Sequence, residues 1–211
     1  VQDTGPVVVI DDTVMTGNSL KAVLPRIRET YPTALSAAVY VNPNANVKPD
    51  IWVRDLPWPH VLEWNLFNSV MTPHCAFDMD GVLCYDCPPG SDDDGANYAK
   101  FLAEATPKFY VRKVPITVVT ARLMKYERQT RDWFAQNGFN VQELVMGPWH
   151  NNQQRAQADV AKFKSDAFKR FSQRGHAIKP PMFVESDPGL AERIAQLSGG
   201  IVVCPTSERC Y

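Results

Sequence analysis

Asp78 and Asp80 stand two residues apart, directly after the short apolar run Cys75-Ala76-Phe77, and Gly81 follows them. Thr120 closes a second apolar run, Ile116–Val119, and Arg122 lies two residues on. Glu185 and Asp187 close a third, Pro181–Val184, and Lys164 lies in the amphipathic stretch before it. Acids, a hydroxyl and a lysine at the ends of apolar runs have a common chemical use in phosphoryl transfer. That reaction needs a nucleophile, a proton shuttle, a cation for phosphate oxygens and further positive charge. Asp78 is the candidate nucleophile, attacking phosphorus to give an aspartyl-phosphate. Asp80 is the candidate acid and base, protonating the leaving oxygen and then deprotonating water. Mg²⁺ suits one or two carboxylates from separate strands, since it prefers oxygen and keeps several waters. Candidate ligands are Asp78, Asp80 and either Glu185 or Asp187. Arg122, Lys125 and Arg128 could line the mouth and bind an anionic leaving group.

These residues need elements to position them. The pattern alternates short apolar runs with longer amphipathic ones. Strands are expected at Val7–Ile10, Leu35–Val41, Cys75–Phe77, Ile116–Val119, Leu144–Met146, Pro181–Val184 and Ile201–Cys204. Helices are expected at about 20–31, 96–105, 125–137, 153–173 and 189–197, with Gly138 closing the third. Val7–Ile10, continuously apolar, reads as a buried parallel strand. Residues 44–68 show no period and read as connecting structure, with Trp52, Trp58 and Trp64 packing across a domain boundary near residue 70. From Cys75 onward, five strands separated by helices imply a parallel sheet with helices on both faces. Ligands of such sheets bind at the carboxyl ends of the strands.

Composition narrows the class. The 211 residues are 45% hydrophobic and 21% charged, with net charge −1, which fits a globular chain and argues against a nucleic-acid binder relying on basicity. Charge is uneven: residues 100–179 hold 15 Lys/Arg against 6 Asp/Glu, while residues 78–94 hold six Asp and no Lys or Arg. Such a juxtaposition suits a divalent cation and a phosphorylated ligand. Five cysteines, an odd number, point to a reducing, cytoplasmic compartment. No apolar run is long enough to span a membrane. Cys84 and Cys87 have C-x-x-C spacing, for which Cys75 and His74 would be the nearest further zinc ligands.

Phe77-Asp78-Met79-Asp80-Gly81-Val82-Leu83 resembles the first motif of the haloacid dehalogenase superfamily. Val118-Val119-Thr120 resembles the second, Lys164 falls where the third-motif lysine would, and Glu185-Ser186-Asp187 resembles a variant of the acidic fourth. The resemblance covers about residues 74–206 in the family order. It implies a Mg²⁺-dependent phosphatase with Asp78, Asp80, Thr120 and Lys164 as catalytic residues. The short interval after Asp80 leaves room for a small flap, Tyr85 to Lys113, rather than a folded cap.

Upstream, Val7–Ile10, Asp11-Asp12 and Thr13 to Ser19 form a second signature. It resembles the phosphoribosyl pyrophosphate loop of type I phosphoribosyltransferases. In that resemblance Asp11 and Asp12 accept from ribose hydroxyls. Thr16, Gly17, Asn18 and Ser19 wrap a 5′-phosphate at a helix start. The whole resembles phosphoribosyltransferase–phosphatase fusions, through Gly81-Val82-Leu83-Cys84, Asp93-Asp94-Gly95 with Tyr98, and Phe163-Lys164. On that reading Cys84 belongs to the family signature and not to zinc. The expected fold is therefore α/β. Residues 70–211 form a haloacid-dehalogenase-like, Rossmann-like parallel sheet with a small flap, and residues 1–69 the carboxyl-terminal part of a phosphoribosyltransferase-like segment. The expected function is hydrolysis of a phosphorylated small metabolite, a nucleotide or ribosyl phosphate among them. The alternative is a phosphoribosyl-pyrophosphate-binding fragment whose second half is regulatory. Only six residues precede the first strand, so no phosphoribosyltransferase activity is expected from this chain alone. The rest of that domain would be supplied in cis or in trans. No nucleic-acid or membrane partner is expected.

Overall fold

The computed structural model describes residues 5–57, 60, 62, 66–111, 114–177 and 180–211. The chain divides into two compact units, Val1–His60 and Val61–Tyr211. Leu66 and Phe67, placed before the expected boundary, pack in the core of the second unit. Trp58 and Trp64 lie outside the described residues. Trp52 is exposed, its indole N–H donating to Asp55 Oδ1 at 3.0 Å.

The first unit holds β1 (Val8–Val14), α1 (Asn18–Thr30), β2 (Leu35–Val41) and β3 (Ile51–Asp55). The three strands pair in parallel in the order β1-β2-β3. Leu20 of α1 packs on Val14, Ala38 and Val41. Three expectations are corrected here. The first strand is not buried: Ile10 is 74% exposed. Nor does it stop before the acids, since β1 runs on through Asp11 and Asp12 to Val14. The backbone keeps its hydrogen-bond ladder to β2 through these polar residues, Asp11 standing opposite Ala38 and Thr13 opposite Tyr40. β3 lies where connecting structure was expected. All five of its residues are exposed, so it carries no inside–outside alternation to read.

The second unit holds β4 (Cys75–Phe77), α2 (Ala96–Glu104), β5 (Ile116–Leu123), α3 (Glu127–Gln136) and β6 (Val141–Gly147). It continues with α4 (Asn152–Gln157), α5 (Val160–Ser172), β7 (Met182–Val184), α6 (Pro188–Ser198), β8 (Ile201–Cys204) and β9 (Arg209–Cys210). The sheet order is β6-β5-β4-β7-β8-β9, parallel but for β9. Alternate residues feed opposite faces, as the pleat requires. Cys75, Phe77, Val118, Met182 and Val184 pack with Trp133 and Phe134 of α3. Ala76, Val119, Phe183 and Val202 pack with Phe168 and Phe171 of α5 and Ile194 of α6. Helices thus cover both faces, and burial of these two cores is what holds the sheet.

The expected long helix 153–173 is two helices. Ala158 is extended, and Asp159 caps α5 by accepting from the Lys162 N–H at 3.0 Å. The fifth strand also outruns its expectation: β5 continues through Thr120 and Arg122, with register shifts against β6 at both ends. No helix among the described residues is long and apolar enough to cross a membrane.

Candidate active site

From β4 the chain steps one way, to β5 and β6, and then returns to the other side of β4 as β7 and β8. The order of connection reverses between β4 and β7. A crevice opens there at the strands' carboxyl ends. Asp78 follows β4 and Glu185 follows β7, tied by the Asp78 N–H donating to the Val184 carbonyl at 2.9 Å. Gly81, at φ +77°, turns the chain away. A Cβ there would lie 2.2 Å from Ser186 Oγ, so only glycine lets the two strand ends approach so closely. Ser186 Oγ donates to the Asp80 carbonyl at 3.2 Å.

Lys164 enters from α5, 2% exposed, and its ammonium bridges two carboxylates: Asp78 Oδ2 at 2.9 Å and Glu185 Oε2 at 2.6 Å. Burial, then the neighbouring Glu185, push the Asp78 carboxyl well above the usual carboxylate range, although Lys164 opposes them. Lys164 itself is pushed up: desolvation opposes its charge, but the two carboxylates outweigh it. Of the two candidate fourth-motif acids, Glu185 is the one that reaches this cluster. Asp187 instead caps α6, its Oδ1 accepting from the Leu190 N–H at 2.8 Å, and it only lines the same cavity.

Asp80 is held differently. Arg122, 1% exposed, donates from Nε to Oδ2 at 2.9 Å and from Nη2 to Oδ1 at 2.6 Å. Burial works to raise the Asp80 pKa, but the guanidinium and its hydrogen bonds outweigh burial and hold the carboxyl below its usual range. The Cys84 thiol donates to the same oxygen at 3.4 Å. Arg122 is therefore a fork clamping Asp80 and not an exposed residue at the mouth. Thr120 Oγ1 accepts from the Arg122 N–H at 3.2 Å, and Thr120 lines the cavity. Lys125 pairs with Asp94 at 2.7 Å and is not part of the cavity wall; Arg128 pairs with Asp132 on an exposed helix face. Replacing Arg122 by Gln is expected to move the Asp80 titration upward, since burial is then opposed by one fewer cation. Carboxyl ¹³C shifts against pH would follow it; an unmoved titration would count against the clamp.

The cavity measures about 710 Å³. Asp78, Asp80, Thr120, Arg122, Lys164 and Glu185 line it together with flap residues Cys87–Gly90 and Asp92, and with Asn152 and Arg155 of α4. The flap is anchored at its base, the Tyr85 N–H donating to Thr106 O and the Lys108 N–H to Leu83 O. Its expected end, Lys113, lies outside the described residues. Asn152 and Arg155 escaped the sequence reading, because the six-residue helix that carries them runs into the single helix expected at 153–173. The acid stretch around Asp92 was the signal available. Among the described residues, no three His, Cys, Asp or Glu side chains converge as a metal cage, and all five cysteines are free. The C-x-x-C pair thus has no zinc set around it.

In the first unit Gly17, at φ +80°, starts α1, and a Cβ there would lie 2.0 Å from Val47 O. Thr16 Oγ1 accepts from the Asn18 N–H at 3.3 Å; Ser19 lies in the first turn of the helix. Asp11 and Asp12 are successive strand residues, so their side chains point to opposite faces and do not converge.

No family model matches the chain, and no curated protein matches it. One solved structure is similar, the Helicobacter pylori xanthine-guanine-hypoxanthine phosphoribosyltransferase. It is 31% identical over 28% of this chain and 40% of that chain, at a TM-score of 0.25. The match thus spans well under two thirds of that protein.

Proposed function

We propose that the 61–211 unit is a Mg²⁺-dependent phosphomonoester hydrolase of haloacid-dehalogenase type, working through an aspartyl-phosphate on Asp78. The observation that carries this reading is the buried Asp78–Lys164–Glu185 bridge at the point where the strand order reverses. The donor set fits a divalent cation. Two buried carboxylates, Asp78 and Glu185, share the single Lys164 ammonium. Asp78, Glu185 and the Asp80 carbonyl would hold the ion, and phosphate oxygens and water would complete a shell that needs few carboxylates. When bound, Mg²⁺ neutralises phosphoryl charge.

The chain's own residues do the rest. An Asp78 oxygen attacks phosphorus, and the ester P–O bond breaks. A phosphate monoester carries a proton of its own below about pH 6, and Asp80 relays it to the leaving alcohol oxygen. Water then attacks the phosphoryl group, and Asp80, kept ionised by Arg122, takes the water's proton and releases it to solvent. The acyl-phosphate bond breaks, giving inorganic phosphate and restoring the Asp78 carboxylate. Lys164 holds Asp78 in position for the first step and Thr120 offers a hydroxyl to phosphoryl oxygens.

The 5–57 segment is read as a phosphoribosyltransferase-like strand–turn–helix, completed in cis or in trans. Its exposed apolar positions Ile10, Val39 and Val53 support that completion, because parallel sheets are ordinarily covered on both faces. The decisive assay is phosphate release from a panel of phosphorylated metabolites. Turnover with Mg²⁺ that EDTA abolishes is expected; release indifferent to EDTA, or none from any member, would refute the hydrolase.

A further inference from the structure

We infer that the flap and α4 form a subsite for hydroxyl groups on the leaving alcohol, so that phosphorylated sugars and other polyol phosphates are preferred to plain alkyl phosphates. The inference rests on the hydrolase reading for which end of the ligand faces Asp78. Asn152 Nδ2 donates to two acceptors of Asp92, the backbone carbonyl at 2.8 Å and Oδ1 at 2.9 Å. Two acceptors fix the amide orientation, because a flipped amide would set oxygen against oxygen. Asn152 Oδ1 is left buried with no hydrogen-bond partner. Arg122 spends Nε and Nη2 on Asp80, and its Nη1 is likewise buried and unpartnered. Both residues line the one cavity.

Buried polar atoms are nearly always paired, and exceptions call for an explanation such as a missing ligand. Here the ligand must bring an acceptor to the Asp80 side and a donor to the flap side. A phosphoryl oxygen supplies the first and a hydroxyl the second. An ammonium is the other possible donor, but Asp92, the acid beside Asn152 that would draw it, is already paired with Arg155. Arg155 is paired with Asp92 and so also fixes the residue that orients Asn152. A cavity of about 710 Å³ has room for a body of several carbons beyond the phosphate. A hydrogen-bonding site of this kind discriminates against an analogue lacking the hydroxyl, because its polar groups are then left unpaired.

The test compares ribose 5-phosphate with n-pentyl phosphate, a chain of the same carbon number without hydroxyls. Binding is measured by calorimetry with Mg²⁺ on the full chain carrying Asp78→Asn, which removes turnover, together with Asp11→Asn and Asp12→Asn, which remove the ribose-hydroxyl acceptors expected of the first unit. Ribose 5-phosphate should bind about tenfold or more tightly than n-pentyl phosphate. Adding Asn152→Leu should bring the ratio below about two. Equal affinities in the parent, binding of neither ligand, or a preference that survives Asn152→Leu would overturn the inference. So would joint loss of both ligands in Asn152→Leu and in the milder Asn152→Ser, which would make Asn152 a residue of the fold only. Phosphate release by the unmutated chain is read separately. Selective binding without release defeats the hydrolase alone; equal release from both esters defeats the subsite alone.

Discussion

Asp78→Asn should lose at least about a thousandfold in phosphate release, yet keep or raise its unfolding midpoint. An amide is nearly isosteric with the carboxylate but does not attack phosphorus. Stability follows from charge. Asp78 and Glu185 are two buried acids on one ammonium, and the Asn variant leaves one of each. The folded Asp78 pKa is raised, so the folded chain binds that proton more tightly than the unfolded chain. Its contribution to stability is then greatest below the unfolded carboxyl value, about 3.9, and is lost as pH rises toward the folded value. The variant should lack that decline. Urea midpoints at pH 5 and pH 8 would show it, and a variant that retains turnover would dismiss Asp78 as nucleophile.

Lys164→Met should be the most destabilising change in the site. It strands two buried carboxylates without their cation, a defect that costs about 3–5 kcal/mol. For a unit of this size that is a fall of roughly 10 °C in Tm. The deficit should shrink as pH is lowered, because the stranded acids then take up protons and shed their charge. Added Mg²⁺ should restore part of it by binding only the folded state. Calorimetric scans at two pH values, with and without Mg²⁺, test both effects. A melting point within about 2 °C of the parent would mean that Lys164 is not the counter-ion of this pair.

Much of the second unit was legible because its strands are continuous apolar runs ended by chemistry. Cys75–Phe77 and Ile201–Cys204 begin and end where hydrophobicity does. β5 did not stop at Thr120, because the charge of Arg122 is neutralised inside the fold by Asp80, a partner 42 residues away that no local pattern announces. The choice between Glu185 and Asp187 was open in one dimension. In the fold Lys164 arrives from α5 beside Glu185, and the first turn of α6 engages Asp187. The split between α4 and α5 hid behind a continuing amphipathic period, though Asn151 and Asp159, each a capping residue, were both in view. β1 outruns its expected end at Ile10 because a strand can keep its ladder past its last apolar residue. β9, two residues long, leaves no periodic trace.

β4 is three residues long, wholly buried, and flanked on both sides by parallel neighbours. Amides so enclosed exchange with solvent only when the sheet as a whole opens, whereas those of a loop such as 90–92 exchange through local excursions. Asp78 therefore sits at the end of an element that opens only with its sheet, and part of the cavity wall around it lies on a loop that can fluctuate. In the proposed hydrolase, reactivity and selectivity would be set by different parts of the stability spectrum. Changes in the flap can alter which molecules enter without disturbing the alignment of the atoms that react.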